Sequence, residues 1–272
     1  MLETSGVHDP PTLLARPVGV GPVHSQRGRF SCLPPAPTPR PVPLDPPSLS
    51  RSVEDYLKAI YSLTERGEAA STSNIAQALD VQPASVSGMV KRLAESGWVE
   101  HLRYRGVTLT PAGTVQALRI VRRHRVLETY LSRRLGYSWE DVHAEAERLE
   151  HAASDELIDR MADALEHPQH DPHGAPIPTA AGEIEVHQHR VLSEAEPGSQ
   201  VRIRAVRDDD PERLRTLEAR GLVPGVHLAV EGRSTPGGPL TVRLGGPEGE
   251  PQAVGPQLAG RIWISAARED DQ

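Results

Sequence analysis

The chain has 272 residues, of which 37% are hydrophobic and 3% aromatic, with a formal net charge of −7 and one cysteine. This length exceeds one typical domain of ~100 to 200 residues, and the low apolar fraction favours two or three small cores. One cysteine excludes a disulfide framework within the chain, so any bound metal is expected to have oxygen and nitrogen ligands. The sequence contains neither an apolar run of ~18 residues nor a signal-peptide core, which predicts a cytoplasmic protein without a membrane partner.

The first 48 residues are rich in proline. Twelve of the 26 prolines lie between Pro10 and Pro47, and no apolar periodicity accompanies them. A segment of this composition buries too little apolar surface to fold, so we predict a disordered arm over residues 1–48.

Residues 49–110 have the pattern of a winged helix-turn-helix domain. Three segments show helical apolar periodicity, and capping residues mark their starts. The predicted starts are Ser52, with Asp55 as its capping acid, then Thr72 or Ser73, and then Pro83, whose helix ends before Gly97. Two short strands are predicted next, at Trp98–Leu102 and Val107–Leu109.

Residues 111–166 are predicted to form a helical domain. Thr110 and Pro111 suit the start of a long helix that Gly136 ends. Ser138 with Asp141 is predicted to cap a second helix, and Ser154 a third.

Residues 167–198 have the composition of a proline- and histidine-rich linker, in which we interpret His167, His170 and His173 as linker residues. Residues 199–267 are predicted to form a small β-barrel with one helix from Pro211 to Arg220. Four alternating segments predict its strands: Val201–Val206, Val226–Glu231, Leu240–Leu244 and Arg261–Ile264. The expected fold class is therefore mainly α with a small β component.

Charge is segregated along the chain. Residues 81–125 carry eight basic side chains and two acids, whereas residues 140–166 carry ten acids and two basic side chains. The first region suits DNA phosphate and the second suits cations.

The predicted third helix has small polar residues at its N-terminal end, which allow close approach to base edges, and basic residues that reach the backbone. The candidate DNA-binding residues are Thr72, Ser73, Gln82, Ala84, Ser85, Ser87, Lys91, Arg92, Arg103 and Arg105. A winged helix that binds protein is the alternative, which the basic balance disfavours.

Histidine and glutamate residues on two consecutive predicted helices indicate a metal site. At ~100° per residue, four of them occupy about a third of one helix circumference: His143, Glu147, Glu150 and His151. His124 and Glu128 repeat the i, i+4 spacing on the preceding helix. Imidazole and carboxylate ligands suit manganese, iron, cobalt or zinc.

Residues 50–183 resemble the diphtheria-toxin-repressor family of metal-dependent regulators, including its manganese-transport-regulator branch. The similar stretches are SVEDYLKAIYSLTERG, SNIAQALDVQPASVSGMVKRLAESGWV, LTPAG, RRHRVLE, VHAEAERLEHAASDEL and DPHGAPIP. The C-terminal region, with GLVPGVHLAV, resembles the SH3-like barrel that some members append. The arm before Leu49 matches nothing in the family, and an over-extended start is an alternative interpretation.

The resemblance implies two metal sites. The primary site would combine the first helix with the dimerisation-domain helix through Asp55, Glu147, Glu150 and His151. The iron branch has sulfur ligands at the first two positions, so oxygen there favours Mn²⁺, with Fe²⁺ as the alternative.

The second implied site comprises His124, Glu128 and His143, with Asp210 or Glu212 of the barrel as further ligands. The manganese branch has a glutamate where this chain has Lys58. A closely bridged manganese pair is therefore not expected.

The resemblance further implies a homodimer that binds a double-stranded DNA operator, with the metal as corepressor and metal-homeostasis genes as targets. A metal-independent winged-helix repressor and a metalloenzyme are the alternatives. The enzyme is disfavoured because neither a His-Glu-x-x-His motif nor a pair of Glu-x-x-His motifs occurs in the helical region.

Overall fold

The computed structural model describes residues 49–65, 68–102, 106–185, 190–207 and 210–267. The predicted arm over residues 1–48 and the candidate DNA contacts Arg103 and Arg105 lie outside these ranges. None of the helices in the described ranges is both long and apolar enough to cross a membrane.

The predicted winged helix is confirmed by three helices and an antiparallel hairpin. Its elements are α1 (Arg51–Glu65), α2 (Thr72–Ala78), α3 (Pro83–Glu95), β1 (Val99–Leu102) and β2 (Gly106–Leu109). One apolar core holds them together and includes Leu57, Ile60, Ile75, Val86 and Leu93, each at most 1% exposed.

Two helix starts in this domain differ from the predicted ones. Helix α1 is preceded by Ser50, whose carbonyl accepts the Val53 and Glu54 amides, so the predicted cap at Ser52 was wrong. Helix α2 is capped by Ser71, whose side chain accepts from the Asn74 amide at 3.1 Å. A cap at Ser50 leaves Asp55 inside the helix and free of any capping role.

The helical domain consists of α4 (Pro111–Leu135), α5 (Val142–Leu149) and α6 (Asp155–Ala164). The predicted limits of α4 are confirmed, because Thr110 accepts from the Gly113 amide and Gly136 is left-handed at φ 72°. Helix α5 differs from the prediction: Ser138 binds the Asp141 carboxylate at 2.9 Å before the helix begins. It also ends at Leu149, so Glu150 and His151 lie in the turn that follows.

The C-terminal domain is built on a six-stranded antiparallel sheet whose strand order is β3-β8-β4-β5-β6-β7. The strands are β3 (Arg190–Val191), β4 (Gln200–Val206), β5 (His227–Arg233), β6 (Leu240–Leu244), β7 (Pro251–Val254) and β8 (Ile262–Ala266). Two α-helices accompany them in the described ranges, α7 (Pro211–Ala219) and α8 (Pro256–Ala259).

The predicted small β-barrel is confirmed as a β-sheet domain but is not closed, because β3 and β7 form the two open edges of this sheet. Strand β3 has only two residues, and β7 begins with Pro251, which has no amide hydrogen for a further ladder. The sequence pattern predicted the four inner strands and missed the two edge strands, β3 and β7.

The sheet domain is packed directly against the helical domain. Trp139 contacts the core of the sheet domain, and the Val206 amide of β4 donates to the His173 carbonyl at 2.8 Å. Gly174, at φ 86°, lies so close to β4 that a Cβ would collide with the Arg204 carbonyl. Part of the predicted linker is therefore a buried seam between two domains.

Candidate metal centre

The predicted primary ligands come from two domains and converge in part. Asp55 projects from α1, while Glu150 and His151 follow α5. His151 Nε2 lies 2.9 Å from Asp55 Oδ1 and 3.3 Å from Glu150 Oε1, so these three side chains offer one compact set of donor atoms.

Glu147, the fourth predicted ligand, is directed to Lys58 instead. The Lys58 ammonium donates to Glu147 and also to both carboxylate oxygens of Glu150, at 3.0 and 2.8 Å. Glu147 therefore belongs to a neighbouring group with His124 and Glu150. Lys58 places a positive charge between the two carboxylates.

The ligand atoms of the predicted second site lie at the corners of a triangle. His124 Nε2, Glu128 Oε1 and His143 Nδ1 are each 3.0 Å from the other two. Two ligands about 2.1 Å from one ion and at right angles to each other are separated by about 3 Å. The triangle therefore has the dimensions of one face of a metal coordination sphere.

Asp171 and His173 form a further group with Glu128 that the sequence reasoning missed. All three side chains are buried. Asp171 Oδ1 accepts from the His173 and Ala175 amides, each at 2.9 Å, and His173 Nε2 donates to the Trp139 carbonyl at 2.9 Å. His173 Nδ1 is thereby left facing Glu128 Oε2 at 3.9 Å.

An Asp-Pro-His-Gly run is a turn signal, because an aspartate side chain often accepts backbone amides two residues on. That signal could have placed Asp171 and His173 in an ordered turn. No local pattern indicates that this turn lies against Glu128, since the contact depends on how distant segments pack.

Burial and opposite charge set the protonation of these groups. Burial and the Lys58 ammonium lower the pKa of His124, but the carboxylates of Glu128 and Glu150 outweigh them and raise it to about 9. Burial raises the pKa of Glu150, yet hydrogen bonds from His124 and Lys58 lower it to about 2. Burial raises the pKa of Asp55, with nearby Glu147 and Glu150 adding to the effect.

A cavity of about 120 Å³ lies beside these groups, lined in part by Lys58, Glu128, His143, Asp171 and Arg207. Such a volume accommodates several water molecules next to the ligand atoms. Asp210 and Glu212 do not join any ligand group in the described ranges. Asp210 instead caps α7 by accepting the Arg213 amide at 3.0 Å.

The candidate DNA-binding residues that the structure describes are all on the surface. Thr72 and Ser73 open α2, and the others lie at the start or along the outer side of α3: Gln82, Ala84, Ser85, Ser87, Lys91 and Arg92. Arg103 and Arg105 fall between β1 and β2 in the sequence, outside the described ranges. A winged helix with an exposed polar helix α3, in a chain that also contains a buried histidine–carboxylate array, fits the class of metal-responsive DNA-binding proteins.

Comparison with known proteins gives the same class. Residues 48–107 match the model "Iron dependent repressor, N-terminal DNA binding domain", and residues 110–179 match "Iron dependent repressor, metal binding and dimerisation domain". Residues 190–266 match the FeoA domain.

Two individual relatives match different shares of the chain. The iron-dependent repressor IdeR of Mycobacterium tuberculosis is 33% identical over 211 residues, which is 72% of this chain and 90% of that protein. The HTH-type transcriptional regulator MntR of Geobacillus kaustophilus is 41% identical over 120 residues, 44% of this chain and 84% of that protein.

A solved manganese-dependent transcriptional repressor in complex with manganese has a TM-score of 0.75 at 38% identity, covering 79% of this chain and 100% of that one. The chain belongs to the diphtheria-toxin-repressor family of metal-dependent transcription regulators, which confirms the resemblance found in the sequence.

Proposed function

We propose that the chain is a cytoplasmic, manganese-dependent repressor that binds operator DNA as a homodimer and controls metal-homeostasis genes. One observation carries the proposal. Asp55 belongs to the first helix of the winged helix, yet it lies within ligand distance of His151, which follows α5 in the helical domain. A cation held there would join the DNA-reading domain to the domain that matches the dimerisation model.

The residues proposed to hold the ion are Asp55, Glu150 and His151, with Glu147 as a fourth ligand when its carboxylate exchanges Lys58 for the ion. His151 Nε2 supports this assignment, because it is buried and faces the Asp55 and Glu150 oxygens at 2.9 and 3.3 Å without forming a hydrogen bond within the described part of the chain. The donors are oxygen and nitrogen without sulfur, which favours Mn²⁺ over softer ions, with Fe²⁺ as the alternative. The solved repressor that is 38% identical to this chain is a complex with manganese, which is consistent with this choice.

A divalent ion would add positive charge where Asp55 faces the carboxylates of Glu147 and Glu150. In its absence Asp55 stands near Glu147 and Glu150, and like charges at close range disfavour a fixed position of α1. Joining Asp55 to Glu150 and His151 would restrict α1 and hence α3. In a two-fold dimer the recognition helices must be ~34 Å apart, or a multiple of that, so this restriction raises DNA affinity.

His124, Glu128 and His143 are proposed as a second cation site, with Asp171 and His173 next to it. Glu128 links the two groups, since Oε1 belongs to the triangle and Oε2 faces His173. His124 links the triangle to the primary site, because its Nδ1 donates to Glu150 at 2.6 Å. The Lys58 ammonium between Glu147 and Glu150 disfavours a second ion bridged closely to the primary one.

The test is a fluorescence-anisotropy titration of promoter fragments from metal-transport genes with Mn²⁺, anaerobic Fe²⁺, or a chelator. Mn²⁺ is expected to strengthen DNA binding, and Glu150→Gln to abolish that stimulation because it removes a buried anionic ligand. Glu145→Gln is the matched control, since Glu145 lies on α5, just before the turn that holds Glu150, and pairs with Arg148 at the surface. A DNA affinity that the chelator does not change would support the metal-independent alternative and refute the proposal.

A further inference from the structure

Glu54 is a buried carboxylate that belongs to none of the ligand groups described above. It lies on α1 next to Asp55 and is 6% exposed. Its Oε2 atom is 2.7 Å from His151 Nδ1, and its other oxygen pairs with the Arg123 guanidinium of α4. Glu54 thus connects the first helix to a side chain in the turn after α5.

The contact with Glu54 determines which ring nitrogen of His151 is available to bind a metal ion. A carboxylate accepts hydrogen bonds, so Nδ1 of His151 carries the hydrogen. The other nitrogen, Nε2, is directed toward Asp55 and Glu150. Histidines that bind metals commonly donate their second ring nitrogen to a carboxylate, which fixes the ring and makes the ligating nitrogen more basic.

We infer that Glu54 is a positioning residue of the metal centre, holding His151 through Nδ1 so that Nε2 faces Asp55 and Glu150. This inference rests on the proposed metal site. Arg123 in turn holds Glu54, and its own side chain is only 16% exposed. Glu54 acts through His151 and does not itself contact the ion.

The test is Mn²⁺ affinity measured by calorimetry on the full chain. Glu54→Met keeps the side-chain volume but removes the acceptor, and it is expected to weaken Mn²⁺ binding about 10- to 100-fold. Glu54→Gln retains an acceptor oxygen and is expected to restore most of that affinity. In a His151→Ala background, Glu54→Met should cause little further loss, because coupled residues are not additive.

Arg123→Met is the matched control, since it breaks the same buried ion pair but leaves the Glu54 acceptor in place. It is expected to lower stability while keeping Mn²⁺ affinity within a few fold of the parent. The double variant Glu54→Met/Arg123→Met leaves no buried unpaired charge and serves if the single variant does not fold. NMR of the metal-free protein should show the hydrogen-bonded Nδ1–H of His151 in the parent and in Arg123→Met, but not in Glu54→Met.

The variants distinguish an error in the proposed metal site from an error in the proposed role of Glu54. If His151→Ala binds Mn²⁺ like the parent, the metal site itself is wrong, and the role of Glu54 with it. If His151→Ala loses affinity while Glu54→Met and the double variant do not, the site stands and Glu54 is only half of an ion pair.

Discussion

Lys58 sets the charge balance of the site, because its ammonium contacts Glu147 and Glu150 and lies 3.1 Å from His124 Nδ1. Its side chain is 15% exposed, so the pairing is shielded from solvent more than a surface ion pair would be. A charge in this position limits how many divalent ions the adjoining carboxylates can hold.

Lys58→Glu is therefore expected to add bound manganese, up to one more ion per chain, and to lower the melting temperature of the metal-free protein. The physical reason is that a positive charge among carboxylates is replaced by another negative one. Metal analysis after dialysis and thermal melts with and without chelator provide the measurement. Lys58→Met separates the two effects, since it removes the ammonium without adding a ligand. An unchanged stoichiometry in Lys58→Glu would show that Lys58 does not control the number of ions.

Metal binding at the second site should release a proton from His124. The pKa of His124 is raised to about 9, so at pH 7 the metal-free ring is protonated, whereas a metal ligand must be neutral. The pKa of Glu150 is lowered to about 2, so Glu150 is already ionised and releases none.

Calorimetry of Mn²⁺ binding at pH 7 in buffers of different ionisation enthalpy measures this release. About one proton is expected for each ion that His124 binds, and His124→Gln should release about one fewer. An enthalpy independent of the buffer would contradict ligation by His124.

Helix α3 is the element that we propose contacts DNA. The Lys91 and Glu95 side chains are 3.9 Å apart and highly exposed, so Lys91 is held only weakly and is available for phosphate. Ser85 and Ser87 lie nearer the start of the helix, where side chains reach base edges.

Lys91→Gln is expected to weaken binding to all DNA sequences alike and to reduce the salt dependence by about one phosphate contact per chain. Ser85→Ala should instead change sequence preference with little effect on the salt slope. Anisotropy titrations over a range of salt concentrations, with cognate and scrambled fragments, distinguish the two. Equal salt slopes for the parent and Lys91→Gln would remove Lys91 from the interface.

The helices and strands also show which features of the fold can be predicted from the sequence. Thr110 and Gly136 identified both ends of α4, because capping oxygens and a left-handed glycine act locally. Local rules could not choose between Ser50 and Ser52 as the start of α1, since both are serines followed by suitable residues. The two-residue strand β3 exists only through pairing with β8, so it has no periodicity to detect.

In the candidate site, too, local patterns could be predicted from the sequence and long-range contacts could not. His124 and Glu128 share one helix face, so their i, i+4 spacing was readable from sequence. Asp171 and His173 join them only because the seam folds back against α4 and β4. No sequence pattern distinguishes Glu54, because its burial depends on the position of Arg123 in another domain.

At the scale of the whole molecule, one largely buried ion-pair group joins three parts of the chain. Glu65 at the end of α1 accepts from both terminal nitrogens of Arg207, at 2.8 and 3.1 Å, just after β4. Arg125 of α4 lies 3.5 Å from the same carboxylate. The Arg207 guanidinium also stacks 3.9 Å above the Trp263 ring. The sheet domain is thereby attached directly to the DNA-reading domain.

Glu65→Gln should therefore loosen the sheet domain, because it leaves two largely buried guanidinium groups without their shared carboxylate. Removing one partner of a buried pair costs roughly 3 kcal/mol. We expect denaturant unfolding to shift to lower concentration, and hydrogen exchange to rise in β4 and in the seam around His173. Arg160→Gln breaks an exposed pair with Glu156, 75% and 74% exposed, and should change neither measurement appreciably. If hydrogen exchange in β4 were the same in Glu65→Gln and the parent, packing around Trp139 and Val206 alone would hold the sheet domain in place.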